Sequence, residues 1–338
     1  MKRFAFLLFL LLVAAPLGAG DYLGAESIGV DVVTITGGSA LVSLSYTSYS
    51  PSMSGSLVPE TCCLFYTFYV NSSGAYLLGK SLEKPLAYGY RGFNYVFLPL
   101  DNGSIEVYRL GEDCFERVLS VDSGLNGPPN FAVSPPYLVV QVGKELVSFN
   151  VAKGSPTGRK SLEGISNGSY FRGVIVILKG DELVLKGETP EGPPKPVRIE
   201  VTENHVALPN GRLLPVDELE PYLWSDEEVR WLRAYKVGRG FLLVPPALTH
   251  RFASNTSGEI LEFGNVSTAP SGSSEVYLIY AGDELRGIPL GRPTGTGFEP
   301  VKTEPSFRKC PRTSEVARWI GVGLILLLGL LWMLTTRK

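Results

Sequence analysis

A strand–turn–strand unit recurs along most of this chain and constrains its fold more than any other feature of the sequence. In the first copy, the apolar-rich run Val30–Thr36 is followed by Gly37-Gly38 and then by a second run, Ala40–Tyr46. In a later copy the turn reads Asp101-Asn102-Gly103, and Asn-Gly between two alternating runs is among the strongest short-range signals for a β-hairpin. The sequence therefore predicts an all-β fold built from consecutive hairpins.

These turns recur at a nearly constant spacing. They are marked by glycines at positions 38, 74, 103, 143, 180, 211 and 282, with Pro246 between the last two, so the mean interval is about 35 residues. Three turns carry a related motif, Gly-Lys-Glu-Leu at 143–146 and Gly-Asp-Glu-Leu at 180–183 and 282–285. Strand pairs at this period are typical of propeller blades, which predicts a β-propeller of about seven blades, with roughly six to eight as the range. Two β-sandwich domains are the alternative.

One segment breaks the rhythm of strands. Ser225-Asp-Glu-Glu228 has the form of a capping box, and Val229, Leu232 and Tyr235 follow at helical spacing up to Gly238. We predict a short helix here that replaces the outer strands of one blade.

Three aromatic side chains lie in or beside this predicted helix: Tyr222, Trp224 and Trp231. In one interpretation they are buried and fill a gap between sheets. In the other they form an exposed aromatic platform for a partner protein or a sugar, because large rings with a polar edge are favoured at such interfaces.

Two apolar segments bracket the repeats. Residues 1–20 are typical of a signal peptide, with Lys2 and Arg3 ahead of an apolar stretch and small residues after it. Residues 318–336 are predicted to form a transmembrane helix, because the run Trp319–Leu334 carries no charge. Residues 337–338 form a basic tail.

These segments predict how the chain is divided. Residues 21–290 are the predicted β-propeller ectodomain, and the glycine- and proline-rich residues 291–317 are a stalk that holds it off the bilayer. We expect a single-pass protein of the cell membrane with its large N-terminal domain outside and its carboxyl terminus inside. A membrane-bound precursor with a processed tail is the alternative.

The four cysteines are Cys62, Cys63, Cys114 and Cys310. In an oxidising exterior, Cys114 is expected to pair with Cys62 or Cys63, because adjacent cysteines bridge each other only with strain. Cys310 then forms a disulfide with the remaining vicinal cysteine, or serves as a lipid-attachment or sorting site. Here the tail resembles those of archaeal cell-surface proteins, which end in a Cys-Gly-Pro motif, a short apolar helix and basic residues; this chain has Cys310-Pro311-Arg312.

Five sequons, Asn followed by Ser or Thr two residues later, predict N-glycosylation outside the cell. Their asparagines are Asn71, Asn102, Asn167, Asn255 and Asn265. The alternative for Asn102 is that it simply forms a turn.

Residues suited to catalysis are few. The two histidines, His205 and His250, lack a metal-binding spacing, and we expect no metal or other cofactor. A glycosidase built on a propeller would use carboxylates on inner strands, for which Asp31 and Glu106 are the candidates. The formal net charge of −2 becomes −6 once Lys2, Arg3, Arg337 and Lys338 are subtracted, and such an acidic exterior part argues against a nucleic-acid partner.

The sequence therefore predicts a membrane-anchored extracellular protein that binds a protein or carbohydrate ligand and has no catalytic activity. A tethered hydrolase acting on glycan or peptide is one alternative. A scaffold subunit of a membrane complex is another, because Gly321, Gly323 and Gly329 would permit close helix packing.

Overall fold

The structure is a computed structural model, and part of the chain is described. The described residues are 22–51, 57–112, 114–161, 174–177, 183–187, 194–224, 226–245, 248–254, 260–264, 275–294, 297–302, 308–310, 323–325, 327–328 and 332. The predicted signal peptide lies outside them, as do most of residues 318–336 and the sequon asparagines Asn167, Asn255 and Asn265.

Strands dominate the described part. In chain order they are β1 (Tyr22–Thr36), β2 (Ser39–Pro51), β3 (Leu57–Asn71), β4 (Gly74–Ser81), β5 (Leu86–Tyr90), β6 (Phe93–Pro99), β7 (Ser104–Leu110), β8 (Phe115–Asp122), β9 (Phe131–Ser134), β10 (Tyr137–Val142), β11 (Glu145–Asn150), β12 (Ser155–Ser161), β13 (Val174–Ile177), β14 (Leu183–Gly187), β15 (Glu200–Val201), β16 (His205–Ala207), β17 (Leu213–Pro215), β18 (Arg233–Val237), β19 (Gly240–Val244), β20 (Leu248–Ser254), β21 (Ile260–Gly264), β22 (Val276–Ala281), β23 (Leu285–Pro293) and β24 (Phe298–Pro300). The helices are α1 (Val216–Leu219), a 3-10 turn (Glu220–Tyr222) and α2 (Asp226–Trp231).

The strands form six antiparallel sheets within the described residues. We name them sheet A (β21-β20-β1-β2-β3-β4), sheet B (β5-β6-β7-β8), sheet C (β12-β11-β10-β9), sheet D (β13-β14), sheet E (β15-β16-β17) and sheet F (β18-β19-β22-β23-β24). Sheets B and C are simple meanders, as consecutive hairpins require. Sheet A departs from chain order, because the β20–β21 hairpin lies between β19 and β22 in sequence but pairs with the start of β1.

The glycine turns at Gly37-Gly38 and Asp101–Gly103 form as the sequence predicts, whereas the turn markers Gly180 and Pro246 lie outside the described residues. Ser39 pairs with Thr36 across Gly37-Gly38, and Ser104 opens β7 after the Asp101–Gly103 turn. Gly103 shows why glycine is needed: its φ is +84°, and an added Cβ would lie 2.2 Å from the carbonyl oxygen of Leu125. A residue with a side chain would be strained there and would displace the neighbouring backbone.

The sheets pack face to face, and each apolar cluster lies between two of them. One cluster joins sheets A and F, a second joins A and B, and a third joins B and C. A fourth joins sheet E and both helices to sheet F, and β13 of sheet D lies beside β9 of sheet C. Sheets A, B and F are thus covered on both faces, which explains why their strands are nearly continuous apolar runs.

Strand β6 shows this two-sided burial clearly. Tyr95 and Phe97 pack toward sheet C, while Val96 and Leu98 pack toward sheet A. Phe97, Val96 and Leu98 are fully buried, and burying a side chain of this size stabilises the fold by about 1.5–3 kcal/mol.

The structure establishes the coarser part of the predicted fold class. It is all-β, with several antiparallel sheets packed face to face as in a sandwich. No described sheet closes into a barrel, and the described contacts trace an open series in the order D–C–B–A–F–E. Six sheets are present in this part of the chain, where the turn spacing predicts about seven blades.

The predicted helix is shorter than the sequence pattern indicates. Helix α2 ends at Trp231, and Tyr235 lies in strand β18, where it pairs with Leu242. The helical extension is wrong because pairing with β19 buries Tyr235 against sheet A, and Gly238 supplies the left-handed residue of the β18–β19 turn at φ +57° instead of ending a helix. Helix α2 lies in sequence between the three-stranded sheet E and the first strand of sheet F, and its replacement of outer strands of a blade stays a prediction.

The described residues contain no helix long and apolar enough to span a membrane. Residues 323–325, 327–328 and 332 are helical, and their large apolar side chains are exposed.

Candidate functional site

A disulfide joins the C-terminal segment to sheet B. Cys114, in the β7–β8 turn, is bonded to Cys310, with 4.7 Å between the Cα atoms and 196 residues between them in sequence. The expected pairing of Cys114 with Cys62 or Cys63 is therefore wrong. Spacing along the chain could not show it, because the two residues meet only once sheets B and F are both in place.

Polar contacts reinforce this disulfide. The buried Arg109 donates to the carbonyl oxygen of Cys310 at 3.3 Å and to a carboxylate oxygen of Glu116, and its guanidinium lies 4.9 Å from the centre of the Phe93 ring. The backbone N–H of Phe115 donates to the carbonyl oxygen of Arg308 at 3.0 Å. We call this group of contacts, centred on Arg109, Cys114 and Cys310, the C-terminal clamp.

The clamp changes the interpretation of residues 291–317. Within this predicted stalk, Phe298–Pro300 forms β24 and pairs with β23, and Val301 donates a backbone hydrogen bond to Leu290 at 2.9 Å. Arg308–Cys310 then docks onto sheet B through the clamp. The described residues of the predicted stalk thus contact sheets F and B, and the division of the chain at residue 290 stays a prediction.

Cys63 is also disulfide-bonded, and it has a left-handed φ of +61°, which is unusual for a residue with a side chain. The chain has four cysteines, of which two form the clamp. The side chain of Cys62 lies outside the described part.

The two candidate carboxylates lie in different sheets, and each is bound by basic side chains. Asp31 in β1 forms ion pairs with Lys84 at 3.0 Å and Arg233 at 3.3 Å. Glu106 in β7 forms an ion pair with Arg117 at 2.6 Å and accepts a hydrogen bond from the hydroxyl of Tyr108. A carboxylate already paired in this way is poorly placed to serve as a general acid or nucleophile.

Two further carboxylates are buried, and both have structural partners. Glu26 accepts a hydrogen bond of 3.0 Å from the Tyr46 hydroxyl in the core between sheets A and F. Burial first, and then the charge of Glu26, raise the pKa of Tyr46, which keeps this hydroxyl a donor. Glu228 in α2 accepts the backbone N–H of Trp224 and so fixes the start of this helix.

The ion pairs of Asp31 connect three parts of the fold. Asp31 belongs to sheet A, Lys84 to the connection between sheets A and B, and Arg233 to sheet F. Partial burial acts to raise the pKa of Asp31, but the hydrogen bonds and charges of Lys84 and Arg233 outweigh it and hold the pKa below 3.8. The ionised carboxylate therefore stabilises the folded state at neutral pH, and this contribution is lost as the pH falls through the lowered pKa.

We expect Asp31→Asn to lower the free energy of unfolding at pH 7 by up to about 1 kcal/mol, because the pairs are half exposed and screened by water. Urea unfolding should show the difference shrinking as the pH is lowered below 3.8, where Asp31 in the unfolded chain is protonated. Glu145→Gln is the control, because its ion pair with Arg159 is exposed and long, at 3.7 Å. If Asp31→Asn lowered the free energy of unfolding equally at pH 7 and below pH 3.8, the ionised Asp31 carboxylate would not be the source of the stabilisation.

The three aromatic residues of the predicted platform do not share one exposed surface. Trp224 is buried in the cluster between sheets A and F, and its indole N–H donates to the carbonyl oxygen of Glu275 at 2.7 Å. Tyr222 is half-buried, and its ring packs edge-on against Tyr277 with centres 5.6 Å apart. Trp231 is 68% exposed. Whether these residues bind a ligand stays a prediction, and Trp231 alone has a largely exposed ring.

Other exposed apolar side chains concentrate in the same part of the fold. Val201 and Leu213 lie on the two edge strands of sheet E, and Trp231 ends the helix that packs beside this sheet. Outside the terminal helical residues, Leu82 is the one other large apolar residue in the described part that is comparably exposed. Val201 and Leu213 lie on opposite faces of sheet E, because they pair with Val206 and Ala207, which are adjacent in β16. The sequence analysis identified Trp231 and missed the other two, because it gave no signal that sheet E ends in unpaired edges.

Two of the sequons lie in described turns. The side-chain oxygen of Asn71 accepts the backbone N–H groups of Ser73 at 2.9 Å and Gly74 at 3.2 Å. That of Asn102 accepts the backbone N–H of Ser104 at 3.0 Å. Both asparagines therefore shape β-turns at the surface, and their glycosylation stays a prediction.

The described residues contain no group of three His, Cys, Asp or Glu side chains that could bind a metal ion. His205 is half-buried in β16, and His250 lies in β20 opposite Glu26 of β1.

No protein-family model matches this chain, and neither does any curated protein. Function is therefore inferred from the fold and from the surfaces described above.

Proposed function

We propose that the six sheets close into a ring and form a β-propeller with six blades. This is one blade fewer than the seven that the turn spacing predicts. The support is the order of packing. Sheets A, B, C and D pack on one another in chain order, E packs on F, and F packs back onto A. Sheets A and F are the first and last in chain order, and contact between the first and last sheets is what a ring produces. The ring then needs one further contact, between sheets D and E.

A distance measurement tests this closure. We expect spin labels at Thr157 in sheet C and Glu203 beside sheet E, both exposed, to lie about 20–30 Å apart, because packed sheets are about 10 Å apart and one sheet separates C from E in a ring. An open arc puts four sheet spacings between them. A distance well above about 40 Å by electron–electron double resonance would therefore refute the ring.

The protein is proposed to be exported and anchored in the cell membrane. Cys63, Cys114 and Cys310 are all disulfide-bonded, and such bonds persist in oxidising compartments. The helical residues Leu324, Ile325, Leu327 and Leu328 are each more than half exposed, so this apolar surface is uncovered by the described part of the protein. A bilayer is the environment that favours such a surface.

The anchored domain is proposed to recognise an extracellular protein or carbohydrate without catalysis. Trp231 is the observation that carries this proposal, because an indole 68% exposed beside a well-packed helix is typical of an interface anchor. The tethered hydrolase is less well supported, because Asp31 and Glu106 are engaged in ion pairs.

The scaffold alternative has one observation in its favour. Gly323 lies in the apolar helical stretch, and no described atom lies within 4 Å of where its Cβ would be. A second helix could approach closely there. Extraction of the full chain in mild detergent should then retain a stoichiometric membrane partner that Gly323→Leu releases.

The recognition proposal predicts a large effect at one residue. We expect Trp231→Ala to weaken binding of the full chain, held in lipid nanodiscs, by about 30-fold or more on glycan and peptide arrays, as is usual for an aromatic hot spot. Unfolding stability should stay within about 0.5 kcal/mol, because the side chain is exposed. Leu82→Ala is the matched control, an exposed apolar truncation away from sheet E. Ligand binding that is equal in both variants would show that recognition lies elsewhere.

A further inference from the structure

One end of the domain is defined by turns that touch one another. Gly238 in the β18–β19 turn donates its backbone N–H to Gly37 in the β1–β2 turn at 2.8 Å. An added Cβ on Gly37 would lie 2.7 Å from Glu112 in the β7–β8 turn, which also carries Cys114 of the clamp. Cys310, the last described residue before the predicted anchor, therefore lies at this end, which we call the clamp end.

Basic side chains are exposed at the clamp end. Arg91 lies in the β5–β6 turn, which is at the same end of sheet B as the β7–β8 turn, and Lys236 and Arg239 flank Gly238. Arg308 and Lys309 precede Cys310. None of these five side chains forms an ion pair with a described carboxylate.

The acidic residues at this end are fewer. Glu112 lies in the β7–β8 turn, and Asp283 and Glu284 lie in the β22–β23 turn. The opposite end holds two ion pairs, with Lys80 bound to Asp101 at 4.0 Å and Glu145 bound to Arg159 at 3.7 Å. The clamp end is thus locally basic in a chain whose formal net charge is −2.

The tether from the clamp is short. Residues 311–318 separate Cys310 from the apolar run that begins at Trp319, and eight residues span at most about 28 Å when fully extended. The domain that they hold has an expected radius of gyration of about 19 Å. A tether this short, leaving from the clamp end, restricts which side of the domain can face a bilayer.

We propose that the clamp end is a membrane-docking surface, which Arg91, Lys236, Arg239, Arg308 and Lys309 hold against anionic lipid headgroups. This inference rests on the proposed membrane anchor and adds the orientation of the domain. Each basic side chain close to an anionic surface favours contact by roughly fivefold. Docking leaves the opposite end, with the β6–β7 and β10–β11 turns, facing away from the bilayer. It also requires that Asn71, which lies at the clamp end beside Ser39, carries no glycan, whereas Asn102 in the β6–β7 turn is free to carry one.

Two matched label sites test the orientation. Lys144 and Lys153 are exposed lysines in turns at opposite ends of β11, about 20 Å apart along the strand. Gly143 beside Lys144 donates its backbone N–H to the carbonyl oxygen of Ser123 at 3.1 Å, which follows the end of β8 away from the clamp, so Lys153 is the site at the clamp end. The full chain carries a donor dye on Lys144→Cys or on Lys153→Cys and is reconstituted in phosphatidylcholine liposomes, with or without about 30% phosphatidylglycerol, an anionic fraction chosen to give a strong surface potential. An acceptor dye is attached to the lipid headgroups.

We expect energy transfer to be stronger from position 153 than from position 144, and to rise with phosphatidylglycerol for position 153. Arg239→Glu should lower the equilibrium constant for docking by about fivefold or more, which a titration of phosphatidylglycerol content measures. Lys144→Glu, measured with the label at position 153, is the control charge reversal and should leave transfer unchanged. Physiological salt should weaken the effect, since it screens charges beyond about 8 Å.

The outcomes separate the two proposals. Failure of the chain to float with liposomes would overturn the membrane anchor. Flotation with equal transfer from both positions, or with transfer that does not respond to lipid charge, would overturn the docking surface and leave the anchor standing.

Discussion

Replacing Cys114 with serine is expected to lower the free energy of unfolding by about 3–5 kcal/mol. The clamp disulfide closes a loop in which the two cysteines are 196 residues apart, so it removes much of the conformational freedom of the unfolded chain. Urea unfolding of the full chain in nanodiscs, followed by tryptophan fluorescence, measures the loss.

Comparing single and double variants distinguishes the contribution of the disulfide bond from that of the individual side chains. Cys114→Ser, Cys310→Ser and the double variant should lose nearly the same stability, because either change removes the whole bond. A double variant that loses about twice as much as each single one would show that the side chains act independently. A loss below about 1 kcal/mol would mean that the segment at Arg308–Cys310 contributes little to the cooperative unit.

Truncating Phe97 to alanine is expected to destabilise the protein by about 3–5 kcal/mol. Phe97 is fully buried between sheets B and C, and its ring packs edge-on against Tyr88 with centres 5.9 Å apart. Phe97→Leu should recover most of the loss, since it fills much of the same volume.

The neighbour of Phe97 makes this a test of two-sided burial. Leu98 points to the other face of sheet B and packs against sheet A, so Leu98→Ala should also cost about 2–5 kcal/mol. The two losses should add, because the side chains contact different sheets. Leu213→Ala is the exposed apolar control and should change stability by less than about 0.5 kcal/mol. If Phe97→Ala or Leu98→Ala behaved like this control, one face of sheet B would be open to solvent.

Local features of the fold could be predicted from the sequence, since they depend on neighbouring residues. The turns at Gly37-Gly38 and Asp101–Gly103 form as predicted because glycine and asparagine adopt the backbone angles that tight turns need. The short helix near residue 228 was found, but its extension to Tyr235 was wrong, because tertiary pairing outweighs a short helical pattern.

Features that join distant residues could not be predicted in this way. The pairing of Cys114 with Cys310 and the insertion of β20–β21 beside β1 depend on the final arrangement of the sheets. The same holds for the aromatic residues: Trp224 and Trp231 are seven positions apart, yet one is buried against sheet A and the other is exposed.

The two candidate surfaces also differ in how far the sequence could predict them. Trp231 was named from the sequence, but its exposure is set by the helix face that packs onto sheet F. The basic clamp end has no sequence signature, because Arg91, Arg239 and Arg308 come together only when four turns meet the docked C-terminal segment.

By itself, the order of residues determined a chain of antiparallel hairpins, because strand alternation and turn geometry are settled within a few neighbouring positions. Only the tertiary structure decided which sheets face each other, which cysteines meet and which side chains reach solvent. Those choices depend on contacts between segments a hundred or more residues apart, where burial of apolar surface, and no local preference, selects the partner.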